Sequence, residues 1–417
     1  MGMIAEVLSI GTELIMGQIV NSDAQYLSRQ LAALGITVHH HTTVGDNPGR
    51  IRAALALALG RADMVITTGG LGPTEDDLSK EMVAEYFGLP MEENPQALSD
   101  IAAYFTSVHR HMAVNNRKQA CFARGAIILP NQRGTAPGCV VEAGGQCVIQ
   151  LPGPPHELSH MFEHAVMPYL AGKREGSIVS RYVRIFGMGE SDVETQVRDL
   201  IDAQGAVTIA PYCGLGEVQL RVTALAQTPE AARAMIDPVE AALVARLGEV
   251  VYAVVDVAED SMARHAMRAL REAGLRVAVA ESCTGGMLAA ALVEIPGASE
   301  VLTEGLVTYS DEAKVRRLGV RPETLAAHGA VSEQTAREMA EGLRAGAGVD
   351  IAIATTGIAG PDGGTPEKPV GLVYLALATA QGTHVKRLTL RGDRTRIRAL
   401  STLHALDMLR RAASGAL

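Results

Sequence analysis

Short apolar runs alternate with amphipathic stretches over most of the chain. Ile4 to Ile10 reads as a strand, followed by a helix capped at Asn21 or Ser22, with Leu27, Leu31 and Leu34 on one face. Residues 36–44 read as a second strand, 51–60 as a helix, and Met64 to Thr68 as a buried strand. Further strands are expected at 127–129 and 147–151, with a closing helix at 156–170. This alternation predicts a parallel sheet with helices on both faces.

The polar stretch GKREGS, 172–177, reads as a linker. Beyond it the order is strand 181–186, helix 190–202, strands 206–210 and 217–226, helix 229–246 and strand 249–253. That βαββαβ order predicts a small α+β module. A third α/β block follows: helix 260–273, strand 276–280, helix 286–294, strand 306–309, helices 311–318 and 332–345, strands 351–356, 370–379 and 384–390, and helix 393–413. Three parts are therefore expected, at 1–171, 177–255 and 258–417.

Composition narrows the class. Tryptophan is absent and aromatics are only 3%, so the cores must be built from Val, Leu, Ile and Ala, as buried α/β sheets are. The net charge of −9 disfavours nucleic acid as a partner. No apolar run approaches the ~20 residues of a membrane span, and Glu6 and Glu13 interrupt the apolar N-terminus. The five cysteines are widely spaced and odd in number, which predicts reduced thiols and a cytoplasmic location.

Three polar clusters interrupt the last block. In RVAVAESCTGGMLA, 276–289, a strand turns tightly into a helix through Ser282, Cys283, Thr284, Gly285 and Gly286. Free N–H groups in such a turn can seat an oxyanion, although Ser282 or Thr284 could equally be a helix cap. In VTYSDEAK, 307–314, Ser310 caps a helix and puts Lys314 in its first turn, where the helix dipole and any burial lower an amine's pKa. A neutral amine is the base a serine nucleophile needs, but a surface lysine paired with a carboxylate suits the pattern too. The third cluster joins TTGIAGPDGGTPEKPVG, 355–371, to RGDRTRIR, 391–398. Asp393 caps a helix that sets Arg394 and Arg398 on one face, a phosphate site or a pair of salt-bridge partners.

These motifs, in this order, resemble the C-terminal domain of the CinA family, the nicotinamide mononucleotide deamidase module. The resemblance spans nearly all of 260–413. It implies hydrolysis of the carboxamide of nicotinamide mononucleotide to nicotinate mononucleotide and ammonia, with no cofactor. By motif, Ser282 would be the nucleophile, Lys314 its base and Tyr309 a supporting hydroxyl. Thr356 and Gly357 would line the pocket, and Arg394 or Arg398, with Arg396 third, would hold the 5′-phosphate. The turn Thr284, Gly285, Gly286 would seat the oxyanion. Cys283 is the competing nucleophile, but no histidine is placed by sequence to activate it.

In the first block, ITTGGLGPTEDD, 66–77, lies between a buried strand and a helix. Gly69, Gly70 and Gly72 permit close backbone approach to a phosphate, whereas Asp76 and Asp77 would repel one unless a divalent cation intervened. A plain glycine turn with acids in the helix's first turn fits as well. With IGTELIMGQIVNSD, NNRKQA, RGTAPG and LPGPPHEL, this run resembles the N-terminal domain of the same family, a MoaB/MogA-like three-layer fold related to molybdopterin-binding proteins. The resemblance implies divalent-metal-dependent hydrolysis of ADP-ribose to AMP and ribose 5-phosphate. Gly69, Gly70, Gly72, Pro73, Thr74, Lys118 and Gly153 would contact the nucleotide, with Arg117 a further phosphate candidate. Glu13, Asp76 and Asp77 would hold the metal. Consecutive His39, His40 and His41 on a strand point to opposite faces and make a poor chelate. The middle module resembles the family's KH-like spacer, without a basic GxxG clamp because GLGE, 214–217, ends in an acid. A homodimer is implied. Pterin binding or adenylylation by the first block is the rival reading, as is a competence-associated accessory protein that binds without turnover.

Overall fold

The computed structural model describes residues 3–172, 177–203, 205–257 and 260–417. The expected linker falls mainly on 173–176, outside the described residues, as does the boundary at 258. The chain forms two compact units, Met1–Val179 with Ala224–Met235, and Ser180–Thr223 with Ile236–Leu417.

The N-terminal sheet contains β1 (Ile4–Ile10), β2 (Thr37–Val44), β3 (Met64–Thr68), β6 (Ile127–Leu129), β7 (Gly138–Ala143) and β8 (Gln146–Leu151), in the order β2-β1-β3-β8-β7-β6. A two-stranded ribbon pairs β4 (Met91–Glu93) with β5 (Cys121–Ala123). Alternate residues of β1 enter opposite cores: Leu8 and Ile10 join one apolar cluster, Ala5 and Val7 the other. Helices thus cover both faces, as a three-layer fold requires. The sheet is mixed rather than all parallel. β7 and β8 are antiparallel because only Gly144 and Gly145, both at positive φ, join them. A two-residue hairpin permits no other pairing. The closing helix is not continuous: it is α-helical at Pro155–Met161, π-helical at Phe162–Val166 and α-helical again at Met167–Ala171. Pro168 has no N–H for the regular ladder there.

The middle sheet has the order β10-β11-β9-β12, from β9 (Ser177–Phe186), β10 (Val207–Cys213), β11 (Glu217–Ala226) and β12 (Val251–Val255). The last sheet contains β13 (Val277–Glu281), β14 (Leu302–Val307), β15 (Ile351–Gly357), β16 (Leu372–Ala378) and β17 (Thr383–Thr389), in the order β14-β13-β15-β16-β17. β14 begins and ends earlier than the expected 306–309, so Thr308 and Tyr309 follow the strand and lie in the loop leading to Ser310. Val277, Val279, Ile351 and Ile353 fill one face of this sheet. Ala278, Ala280, Ala352 and Ala354 form the other, where small side chains let helix Glu333–Ala347 approach closely. The parallel pairing of β13 with β15 ends at Glu281 and Thr355, and the site forms beyond that point.

Candidate active site and acidic cleft

Ser282 leaves the sheet at the end of β13, and its N–H still donates to Thr355 O at 3.0 Å. Across from it, the Ser310 hydroxyl caps helix Asp311–Leu318 by accepting the Ala313 N–H. That cap puts Lys314 in the first turn, with its side chain 1% exposed. Lys314 Nζ lies 3.2 Å from Ser282 Oγ, 3.1 Å from Thr308 O and 3.1 Å from Tyr309 O. Burial lowers the amine's pKa below the ordinary lysine value, while Asp311, 4.0 Å away, opposes the shift. A neutral amine has two protons and one lone pair. In that form the two protons go to the carbonyls, which can only accept, and the lone pair would face the serine hydroxyl; the charged form would donate to all three oxygens. The neutral form of this arrangement is that of a general base.

Ser282, Tyr309, Lys314, Thr356, Gly357 and Arg394 line a pocket of about 200 Å³, together with Cys283. This is smaller than the ~300–1,000 Å³ of sites that enclose a whole drug-sized ligand, so the pocket would enclose only part of a ligand of that size. Ala330, Val331 and Ala359 complete the wall. Ala359 belongs to the 355–371 run singled out in the sequence, whereas sequence reasoning missed Ala330 and Val331; the signal near them is Gly329 ahead of the cap Ser332. The Thr356 hydroxyl donates to Ala330 O at 2.8 Å and ties that loop to β15.

The arginines separate. Asp393 caps helix Arg394–Ala413, and Arg394 Nη1 donates to Gly360 O at 2.8 Å while Nη2 donates to the Tyr309 hydroxyl at 3.3 Å. The Tyr309 hydroxyl therefore meets Arg394, and it is the residue's carbonyl that touches Lys314. Arg398 lies outside the pocket lining and donates to Cys283 O and Thr284 O. Arg396 is exposed and does not line it either. Thr284, Gly285 and Gly286 are also absent from the lining. The Thr284 hydroxyl is buried against that of Thr355, at 2.7 Å. The Gly286 N–H is taken by Glu281, which overturns its expected part in an oxyanion seat. Cys283 is buried, and burial pushes its thiol up to about 11, away from the thiolate a nucleophile needs.

In the N-terminal unit, a cleft of about 460 Å³ is lined by Glu13, Gly69, Gly70, Asp76, Asp77 and Gly153, among others. Gly69 and Gly70 have φ of 92° and 69°. A Cβ on Gly69 would strike Ile10 O, and one on Gly70 would strike Ser79 Oγ. Ser79 ties this turn to its helix, its hydroxyl donating to Gly69 O at 2.7 Å and its N–H to Gly70 O at 3.1 Å. Gly72, Pro73, Thr74 and Lys118 do not line the cleft. Gly72, Pro73 and Thr74 belong to the loop that carries the acids, and Lys118 contacts it from the segment Val114–Ala120. The Thr74 N–H donates to Asp77 Oδ2 at 2.9 Å, and the Thr74 hydroxyl lies against both the Asp76 and the Asp77 carboxylates. That hydroxyl holds the Asp76 carboxyl below its ordinary range. Lys118 Nζ donates to Thr74 O at 2.8 Å, and Arg117 pairs with Glu93.

The cleft also holds two acids that the sequence reading passed over, Asp23 and Asp46. Asp23 is buried, accepts the Thr68 hydroxyl at 2.7 Å, and is pushed up by that burial. Asp46 accepts both the N–H and the hydroxyl of Thr12. Among the described residues, no three His, Cys, Asp or Glu side chains gather closely enough to hold a metal ion by themselves. Glu13, Asp76 and Asp77 therefore share the cleft without forming a preassembled chelate. His39, His40 and His41 are exposed on the edge strand β2, with His41 Nε2 2.6 Å from Ser28 Oγ.

In the middle module, Gly216 of the GLGE loop has φ 73°, and a Cβ there would press on Leu400 of helix Arg394–Ala413. Gly216 is thus packed against protein, while Gly214 and Leu215 are exposed. No helix among the described residues is long and apolar enough to cross a membrane.

Fold and sites together define a multidomain α/β protein that joins a molybdopterin-binding-like domain and a KH module to a domain carrying a buried Ser–Lys pair. Residues 6–172 match the family described as "Probable molybdopterin binding domain", residues 180–253 the "Damage-inducible protein CinA KH domain", and residues 259–413 the "CinA C-terminal domain". A "CinA-like protein" of Kosmotoga olearia is 50% identical over 408 residues, 98% of each chain. Another, of Dictyoglomus turgidum, is 47% identical over 406 residues, 97% of this chain and 98% of its own. Among solved structures, the competence/damage inducible protein CihA from Agrobacterium tumefaciens is 46% identical, covering 37% of this chain and 93% of that one, with a TM-score of 0.36. The chain belongs to the CinA family.

Proposed function

We propose that the C-terminal site hydrolyses the carboxamide of nicotinamide mononucleotide to nicotinate mononucleotide and ammonia. The observation that carries this reading is the 3.2 Å contact between Lys314 Nζ and Ser282 Oγ, with both other Lys314 bonds going to main-chain carbonyls. Lys314 takes the Ser282 proton as Oγ attacks the carboxamide carbon. The tetrahedral intermediate collapses as that proton passes to the departing nitrogen, which leaves as ammonia. Water, deprotonated by the same amine, then attacks the acyl-serine ester, and the proton passes to Ser282 Oγ as it leaves, which frees the acid and restores the amine. Arg394, on the pocket wall, anchors the 5′-phosphate. Ammonia release from nicotinamide mononucleotide tests the proposal, with Ser282→Ala and Cys283→Ala compared. Full turnover by the first variant and loss in the second would sink the serine assignment. Tight retention of the nucleotide without ammonia release would support a binding role instead.

For the N-terminal cleft we propose hydrolysis of ADP-ribose to AMP and ribose 5-phosphate, aided by a divalent cation. The donor set consists of hard carboxylate oxygens, and it suits an ion that keeps one or two carboxylates and completes its shell with substrate phosphates. Asp77, Asp76 and Glu13 would hold it. Such an ion would offset the charge between a diphosphate and the acidic wall. Gly69, Gly70 and Gly153 line the cleft, where the phosphates would lie against their backbone. AMP formation that survives both EDTA and Asp77→Ala would refute the metal. The working form proposed is a cytoplasmic homodimer.

A further inference from the structure

We infer that Glu281 and Arg398 are paired positioning residues that brace the Ser282 turn from its two polar sides; the inference rests on the reading of Ser282 as nucleophile. Glu281 is 1% exposed, and a carboxylate so buried must be compensated. Its compensation comes from the main chain. Oε2 accepts the N–H groups of Gly286 and Leu288, each at 3.0 Å, and Oε1 accepts that of Ala289 at 2.8 Å. These are donors that the start of helix Met287–Val293 leaves without intrahelical partners. An ordinary cap uses the residue at the helix start. Here the acceptor belongs to the last residue of β13, so the carboxylate reaches across the turn and joins strand end to helix start with Ser282 between them.

Arg398 holds the opposite polarity. Its Nε donates to Cys283 O at 3.2 Å and its Nη2 to Thr284 O at 2.8 Å. The turn passes through two left-handed glycines, Gly285 at φ 59° and Gly286 at φ 94°, a path with no repeating hydrogen bonds of its own. Carboxylate on the N–H side, guanidinium on the carbonyl side, and the Ser282 N–H on Thr355 O together fix the main chain on each side of Oγ. Two arginines one helical turn apart thus divide the work: Arg394 faces the pocket, and Arg398 faces the backbone that presents the nucleophile.

The test uses the full-length protein with Arg398→Met, Arg398→Lys and Glu281→Gln. Two quantities are read: kcat and KM for nicotinamide mononucleotide, and the rate at which phenylmethylsulfonyl fluoride labels Ser282, followed by intact mass. Displacement of a reacting group by about 1 Å costs roughly 10²-fold. Arg398→Met is expected to lower kcat and labelling rate together by about 10- to 100-fold, with KM changed less than about twofold. Arg398→Lys, which keeps one charged donor, recovers part of both. Glu281→Gln, which sets an amide NH2 against main-chain N–H groups, moves in the same direction. If that buried change prevents folding, the Arg398 pair still decides. A rise in KM at unchanged kcat in Arg398→Met would place Arg398 on the phosphate and overturn the inference. Labelling at the wild-type rate in Arg398→Met would overturn it as well. If the wild type releases no ammonia but is labelled at Ser282, and Arg398→Met loses that labelling, the substrate reading fails and the brace stands.

Discussion

Lys80 and Lys314 are both almost fully buried, at 4% and 1% exposure, and burial lowers the pKa of both. Lys80, in the N-terminal unit, is brought down to about 8. Its Nζ donates to Gln119 O at 2.6 Å and lies 4.1 Å from the Phe122 ring centroid. Among the described residues no hydroxyl bonds to it, so it fastens one segment of the fold. Lys314 has the Ser282 hydroxyl and two carbonyls around it. A depressed amine becomes a base only where its lone pair meets a proton to remove. The two sites differ in the same way. The Ser–Lys pocket is assembled in the folded chain, whereas in the acidic cleft no three carboxylates gather into a metal site among the described residues.

Lys314→Met should break the comparison most completely. Ammonia release is expected to fall by about 10³-fold or more, while AMP formation from ADP-ribose stays within about twofold, as befits separate sites. Loss of both activities in a folded variant would show that the two sites are not independent. Arg394→Gln comes next. KM for nicotinamide mononucleotide should rise by about tenfold or more at nearly unchanged kcat, the size of a lost charge-assisted contact. Turnover of the riboside, which has no phosphate, should not change. An equal loss on both substrates would remove Arg394 from the phosphate.

Lys80→Met sharpens the contrast through stability. The folded pKa of about 8 lies below the unfolded value near 10.5, so between those pH values the unfolded chain binds the extra proton. Unfolding free energy from this group therefore rises with pH across that window, by about 3 kcal/mol in all. Urea titrations at pH 7.5 and 10 should show this rise in the wild type and not in Lys80→Met. Equal pH dependence in the two would mean that Lys80 is charged and stabilised in the fold. Cys283→Ala has the smallest expected effect: ammonia release within about threefold and a stability loss of about 1 kcal/mol, read from the urea midpoint.

Much of this was legible along the chain because it depends on local chemistry. Ser310 and Asp393 cap the helices their positions suggest, and Lys314 sits in the first turn that follows Ser310. The βα alternation predicts layered sheets, and Gly144–Gly145 marks the hairpin that makes the first of them mixed. Other features depend on the approach of distant segments. Arg394 and Arg398 share a helical face, yet only the packing of that helix against the Ser282 turn separates pocket from backbone. Glu281 reads as the end of a strand, and nothing local shows that its carboxylate folds back over the next helix. The part of Tyr309 that touches Lys314 is a carbonyl, which every residue possesses.

That last contact bears on how the site withstands sequence drift. Thr308 and Tyr309 grip the base through main-chain oxygens, so the grip does not depend on which side chains stand at those positions. The rim of the pocket can be remodelled at 309, residue by residue, while the proton inventory of the amine stays as it is. The loop's course is set by the end of β14 and the Ser310 cap. A lineage could exchange substrates at this rim without having to reinvent its catalyst.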